Sequence, residues 1–314
     1  MGEGPLVSIG IPTFRREAYL QEAIDSALAQ RDPRIEVLVS DDGTSEAIRS
    51  VGEGAAAQDA RVRYWRNPAT LGLAGNWNAI ADRARGGSLV LIGDDDRLLP
   101  DFVSHLVGAA AGGADVAFAD HWLIDGEGKR LEEATREHSR RYERDRMPAG
   151  PVDAEAYVWK NSFPACASLI RTEVVRRLRF REDLNTPEVE LFARLALEGG
   201  RFVFVPGFVM EYRIHEGSIT ASGLKSEELV KYLAPLEVKE RVEPLKRRFM
   251  ESLLEDATGR VLARGDAARA RGFIASPFYP RAARPKLWVQ RACSRLPGPL
   301  ARRLYLAARA VGRR

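Results

Sequence analysis

Cysteine is nearly absent: Cys166 and Cys293 are the only two in 314 residues, and they lie far apart. That excludes a disulfide framework and the clustered thiols of a zinc site. Both read as small buried hydrophobes rather than reactive thiols. No apolar run approaches the roughly 20 residues of a membrane span. Met1 to Pro5 has neither a basic region nor an apolar signal core, so the expected location is the cytoplasm. Internal repeats and low-complexity segments are missing too. Acidic residues are missing from one stretch: positions 281–314 hold ten Arg or Lys and no Asp or Glu. The whole chain has a net charge of +4, so the remaining 38 basic and 44 acidic residues give the rest a net of −6. The basic character belongs to the tail, and it points to an anionic surface, membrane or nucleic acid, rather than to a catalytic body.

What is present describes a soluble globular protein, with 45% hydrophobic and 29% charged residues. The length allows one large domain plus an appendage. Leu6-Val7-Ser8-Ile9-Gly10-Ile11-Pro12 reads as a buried strand stopped by Pro12, with Thr13-Phe14-Arg15-Arg16 as its loop. A helix follows with Leu20, Ile24 and Leu28 on one face. Ile35 to Ser40 is a second strand, ending at Asp41-Asp42-Gly43-Thr44-Ser45. That loop is either a turn with a helix cap or a place where a base or ribose is hydrogen-bonded. A helix near 44–58 and a strand near Val62 to Trp65 continue the pattern. Leu71-Gly72-Leu73-Ala74-Gly75-Asn76-Trp77-Asn78 opens another helix, its glycines allowing close backbone approach or simply forming a connector.

The next strand, Ser88 to Ile92, delivers Gly93-Asp94-Asp95-Asp96. Three adjacent carboxylates repel one another unless a cation joins them. A hard divalent ion accepts such oxygens and leaves positions for phosphate. Two readings stand: a metal site holding the diphosphate of an activated donor, or an acidic turn capping the helix near Asp101. Strand–helix repeated four times predicts an α/β fold with a parallel sheet flanked by helices. The polar loops Thr13–Arg15, Asp41–Ser45 and Asp94–Asp96 then converge at one sheet edge.

Beyond a helix near 101–112, Ala114 to Asp120 is a further strand, and His121 to Gly128 a hairpin or turn. The charged residues 132–151 read as a solvated mobile loop, or as a loop over an acceptor site. Thr186-Pro187-Glu188 has the form of a helix start, with Thr as cap and Pro first. Phe202 to Met210 reads as two short strands turning at Pro206-Gly207, leading to Tyr212-Arg213-Ile214-His215-Glu216-Gly217-Ser218. Ser226 to Arg264 is helical, interrupted at Pro235 and Pro244. In the last stretch Leu300, Leu304, Ala308 and Val311 share a helical spacing, with Arg302, Arg303, Arg309 and Arg313 among them. This is an interfacial helix or an ordinary docked helix with a basic outer face.

The segments Val7–Phe14, Ser40–Ser45, Leu71–Asn78, Gly93–Asp101, Glu188–Ala196 and Tyr212–Ser218, in this order, resemble the family-two glycosyltransferases, inverting enzymes of the GT-A fold. The resemblance runs from about Val7 to about Ile219. It implies a Rossmann-like nucleotide-binding domain over 1–222, with a donor half 1–120 and an acceptor half 121–222, and a helical C-terminal region 223–314. It also implies a nucleotide-diphosphate sugar donor. Pro12, Thr13 and Arg15 then border the nucleotide, with Gly72 and Asn76 in the same set, and Asp41 or Asp42 bonds the base. Asp94 and Asp95 fall where ribose and metal are held, Asp96 beside them. His215 lies where some members contact diphosphate or metal, which makes Asp95, Asp96 and His215 the expected ligands of Mn2+ or Mg2+. Glu188 falls on the general base and Asp120 near the acceptor. Two departures stand out: Gly93 where Asp is common, and Pro187-Glu188 where Glu-Asp is common. The Gln-x-x-Arg-Trp motif of processive synthases is absent, which favours single transfer.

The expected chemistry is direct displacement at the anomeric carbon, with Glu188 taking the acceptor proton. A helix start is expected to keep Glu188 ionised at neutral pH. The acceptor is a sugar or a lipid-linked sugar of a surface polysaccharide or glycoconjugate, with peripheral membrane contact through 281–314. Nucleic acid is not an expected partner, because aromatics are not interleaved with the tail's arginines. Two rivals remain: a sugar nucleotidyltransferase, which releases diphosphate rather than nucleoside diphosphate, and a non-catalytic module gripping an anionic surface or nucleic acid.

Overall fold

The computed structural model describes residues 6–32, 34–215 and 226–311. Glu216–Ile219, at the end of the last motif, and Arg313 lie outside the described residues. The chain forms two compact units, Met1–Gly223 and Leu224–Arg314.

The first unit is built on one sheet. Its strands are β1 (Val7–Thr13), β2 (Ile35–Asp41), β3 (Val62–Arg66), β4 (Ser88–Leu91), β5 (Arg97–Leu98), β6 (Val116–Ile124), β7 (Gly150–Pro151), β8 (Ser168–Arg171) and β9 (Phe202–Arg213). They are ordered β3-β2-β1-β4-β8-β6-β9-β5, with β7 paired to β9. The long pairings, β1 with β2, β2 with β3, β1 with β4 and β6 with β9, are parallel. The antiparallel ones are two or three residues each. Helices α1 (Glu17–Leu28), α2 (Glu46–Gln58), α3 (Gly72–Arg83) and α4 (Phe102–Ala111) supply the crossovers. The predominantly apolar make-up of β1 and β2 follows from this layering, since a parallel strand covered on both faces has no solvent side; the polar pair inside them, Ser8 and Glu36, is hydrogen-bonded at 2.6 Å. Leu20, Ala23, Ile24 and Ala27 bury one stripe of α1 against Val7, Ile9, Ile11, Val37 and Val39.

Pro12 does not stop β1, which runs on to Thr13. The Val7 N–H donates toward the β2 side. Alternation therefore turns the ring nitrogen of Pro12 toward β4, whose pairing with β1 has already ended at Gly10 and Leu91. No ladder bond is lost there.

Three expectations change beyond β4. The strand at Ala114 does not turn at His121: β6 continues to Ile124 and turns at Asp125–Gly128. Phe202–Arg213 is one strand rather than two, bent where its register with β6 shifts near Asp120, and Gly207 takes the bend at φ 138°. The charged stretch 132–151 is ordered. It forms α5 (Glu132–Arg141), a single 3-10 turn at Arg144–Arg146 and β7. Its small polar residues Thr135 and Ser139 face inward and its charges face out, which a composition-based reading misses. The unit is completed by α6 (Ala154–Val158), α7 (Thr172–Leu178) and α8 (Pro187–Leu197).

The second unit is helical: α9 (Ser226–Leu233), α10 (Glu243–Arg264), α11 (Ala267–Ile274), α12 (Pro285–Cys293) and α13 (Gly298–Val311). Pro244 opens α10 rather than interrupting it. Val261, Leu262, Ala267, Ala270, Cys293, Ala301 and Tyr305 form its core. Gly259 lets the Tyr305 hydroxyl approach α10, since a Cβ there would lie 2.4 Å from that oxygen. Among the described residues no helix is long and apolar enough to cross a membrane.

Candidate active site

The turn after β4 is the centre of the site. Gly93 leaves room in it for the two carboxylates that follow: a Cβ would lie 2.4 Å from Asp95 Oδ1 and 3.0 Å from Asp96 Oδ2, so a larger residue there goes with a different placement of those side chains. The three carboxylates that follow point to different partners. Asp94 accepts from Thr13 Oγ1 at 2.7 Å and from Arg16 at 3.1 Å. Burial pushes its pKa up to about 6, with Arg16 opposing and Asp95 reinforcing the rise. Asp95 Oδ2 meets Arg16 at 2.8 Å and His215 Nε2 at 2.9 Å.

Asp96 departs from expectation. Its carboxylate turns inward, accepting from the backbone N–H of Arg213 at 2.9 Å and of Gly93 at 3.2 Å. Burial and the neighbouring Asp95 hold its pKa well above the usual carboxylate range. No three His, Cys, Asp or Glu among the described residues are arranged around one ion. The expected trio Asp95, Asp96 and His215 is therefore not assembled; Asp96 ties the turn to β9 instead. Asp95 and His215 still offer an oxygen and a nitrogen 2.9 Å apart. That is the length of a direct hydrogen bond, which a bound cation would replace. One carboxylate and one imidazole fit Mn2+ or Mg2+ when phosphate and water complete the shell.

Arg213 fixes this arrangement from below. Its fully buried guanidinium donates to the Asp95 carbonyl at 2.7 Å, the Gly126 carbonyl at 2.9 Å and Glu22 at 2.6 Å. It also stacks 4.5 Å from the Tyr19 ring, which packs against the His215 ring at 5.5 Å. Sequence reasoning did not single out Arg16, Arg213 or Tyr19. Arg16 was hidden beside Arg15, which is exposed and lies over the Phe14 ring at 4.6 Å.

The second acidic loop is occupied with its own folding. Asp41, fully buried, accepts from Tyr64 Oη at 2.8 Å, Arg66 Nε at 2.7 Å and the Gly43 N–H at 2.9 Å. Asp42 accepts from the N–H groups of Leu71 and Gly72, both at 2.8 Å, and from Asn67 at 3.1 Å. Gly72 has φ 75°. Asn76 is buried, donating to the Ser40 carbonyl at 3.0 Å and accepting from Asn67 at 3.1 Å. These residues shape the rim; Pro12 and Thr13 end β1 next to it.

Glu188 lies in the first turn of α8, where Pro187 stands first and Thr186 makes no side-chain cap bond. It is half-buried, and burial raises its pKa to about 7. The expectation of a permanently ionised Glu188 is corrected: desolvation outweighs the helix end. The Cys166 thiol is pushed up by burial and by both Asp96 and Glu188, which places these three groups in one neighbourhood. Glu190 is paired with Arg181 at 2.9 Å and Arg194 at 2.7 Å.

Asp120 sits elsewhere in the unit than on an open surface. It is buried and accepts from Arg144 Nε at 2.7 Å, the His121 N–H at 2.9 Å and the Ser139 hydroxyl. His138, which meets Arg144 at 2.7 Å, is lowered to about 4 by burial and then by that guanidinium. A cleft of about 460 Å3 opens beside this network, lined by Asp120, Arg140, Arg144, Met147, Phe204 and Phe208 among others.

Residues 8–178, more than half of the chain, match the family described as Glycosyl transferase family 2. The chain is 28% identical over 241 residues to the GalNAc(5)-diNAcBac-PP-undecaprenol beta-1,3-glucosyltransferase of Campylobacter jejuni, covering 76% of this chain and 74% of that protein. It is 28% identical over 220 residues to the succinoglycan biosynthesis protein ExoO of Rhizobium meliloti, covering 69% and 63%. Among solved structures, S. aureus TarS 1-349 in complex with UDP-GlcNAc superposes with a TM-score of 0.60 at 16% identity, covering 97% of this chain and 92% of that one. The mannosyltransferase PcManGT of Pyrobaculum calidifontis, in complex with GDP-Man and Mn2+, gives a TM-score of 0.60 at 16% identity, covering 98% and 86%. The fold is the one these structures share.

Proposed function

The chain belongs to glycosyl transferase family 2 and is a glycosyltransferase, and from that premise we propose that it is an inverting, metal-dependent enzyme. It moves one sugar from a nucleotide-diphosphate donor to an acceptor hydroxyl. The observation that carries this reading is the Asp95–His215 pair at the sheet edge, with the half-buried Glu188 tuned to about 7.

The acceptor oxygen attacks the anomeric carbon as the bond from that carbon to the diphosphate breaks. The nucleoside diphosphate leaves with the electron pair. Glu188 takes the acceptor proton; a base with a pKa near the working pH combines availability with driving force. Arg16 and His215 stand beside Asp94 and Asp95 and bind and orient the diphosphate end of the donor. Asp95 and His215 would hold the divalent ion, which when bound would neutralise negative charge on the departing diphosphate. Pro12, Thr13, Asp42 and Gly72 border the nucleoside. Asp120, held by Arg144 and Ser139, stiffens the acceptor side.

The C. jejuni relative's name specifies a diphosphate-linked undecaprenol substrate, which supports a lipid-linked acceptor in surface polysaccharide assembly. The enzyme then works peripherally at the cytoplasmic face of the membrane, through 281–314. A thermal-shift panel of nucleoside diphosphates and their sugars, with and without manganese, tests the donor class, since ligands of the folded state raise its melting point. Release of nucleoside diphosphate is the expected product signature. Release of inorganic diphosphate identifies a nucleotidyltransferase instead.

A further inference from the structure

The second unit carries a surface that its own packing does not use. Helix α13 buries Ala301 and Tyr305 in the unit's core. Leu300 and Leu304, one position earlier in each turn, are 44% and 45% exposed, and Ala307 continues their stripe. On α12, Trp288 is 70% exposed although Leu287 beside it is fully buried. The two helices pack on each other, and exposed large apolar side chains on neighbouring helices are a feature of interaction surfaces.

The charges that this stretch itself carries have one sign. Arg281, Arg295, Arg302, Arg303 and Arg309 are exposed, and no ion pair is formed by their side chains among the described residues. Arg284 and Lys286 share a single acid, Glu255, at 2.6 and 2.8 Å. No acid occurs anywhere in 281–314.

An apolar protein groove would cover the leucines and leave the arginines unbalanced. A nucleic acid would pair the arginines and leave the leucines in water. Anionic phospholipid satisfies both, taking guanidinium groups at its phosphates and Trp288, Leu300 and Leu304 at the acyl boundary. We propose that the α12–α13 face docks on an anionic lipid bilayer. The proposal deepens the reading of a membrane-associated transferase, and its test uses neither donor nor acceptor, so the two stand or fall separately.

The test is co-sedimentation of the full chain with phosphatidylglycerol–phosphatidylcholine vesicles and with pure phosphatidylcholine vesicles. Binding is expected to the anionic vesicles and to weaken with salt. Each basic residue near an anionic surface strengthens binding about five-fold. Arg302→Gln with Arg303→Gln should therefore weaken it by more than about ten-fold. Trp288→Ser with Leu304→Ser should weaken it at least as much, with an unchanged melting point because both residues are exposed. No binding to anionic vesicles, or equal binding by the Trp288 and Leu304 double variant, overturns the proposal. So does preference for a plain oligonucleotide over vesicles.

Discussion

His215 Nε2 and Asp95 Oδ2 lie 2.9 Å apart, joining the segment after β9 to the turn after β4. The pair closes the sheet edge where β1, β2 and β4 end. Its partners hold it in place: Arg213 from the Asp95 carbonyl, Tyr19 from the imidazole face. Replacing His215 by Gln keeps a polar side chain and removes the imidazole. The manganese concentration giving half-maximal transfer should rise ten- to a hundred-fold, with the melting point nearly unchanged. A manganese titration of the transfer rate checks this.

Glu188 should govern the pH profile. Its pKa is raised to about 7 by burial, and a general base acts only when deprotonated. The transfer rate should climb as pH rises through about 7 and level off above it. Glu188→Gln should lose 10²- to 10⁴-fold in kcat, about the scale of general-base catalysis, with little change in donor affinity. Steady-state kinetics on both proteins measure both quantities.

Asp94 should cost stability at neutral pH. Its pKa rises from 3.8 to about 6 on folding, so the folded state holds that proton more tightly than the unfolded chain does. The stabilising effect of protonation is full below about 4 and is lost as pH rises through about 6. Asp94→Asn keeps an acceptor for Thr13 and removes the buried charge. It should raise unfolding stability at pH 8 by roughly 1–3 kcal/mol, with a much smaller gain at pH 4. Denaturation at the two pH values gives the difference. The same variant should bind donor less well, because the charge is spent on function rather than on the fold.

Arg144 is the buried partner of Asp120, and its side chain is 2% exposed. Arg144→Met leaves a carboxylate desolvated without its cation. Such a break costs roughly 3–5 kcal/mol. Adding Asp120→Asn should recover part of that loss, and urea denaturation of the single and double variants reads it out.

The parallel half of the fold is legible in the chain. Strands such as Ile35–Ser40 are mostly apolar because both faces are covered, with Glu36 the buried exception, paired with Ser8 and Arg63, and their polar ends fall at one sheet edge. The start of α8 at Pro187 is legible for a local reason, the fixed φ of proline. What escapes depends on partners distant in sequence. Arg15 and Arg16 are equivalent as letters; only the folded loop brings Arg16 to Asp94 and Asp95. Asp96 reads like its neighbours until the backbone of Arg213 claims it. The 132–151 stretch reads as solvated because its charges outnumber the inward Thr135 and Ser139. Glu188 carries a helix-end position in the sequence, whereas its desolvation comes from three-dimensional packing.

The central claim is that Asp95 and His215 form the protein's share of a metal-assisted diphosphate site. Calorimetric titration of a nucleoside diphosphate into the full chain, with and without manganese, tests it most directly when paired with Asp95→Asn. Binding that requires manganese and weakens at least about ten-fold in Asp95→Asn is the predicted result. Equal affinity without manganese, or an unaltered manganese requirement and affinity in Asp95→Asn, would contradict it.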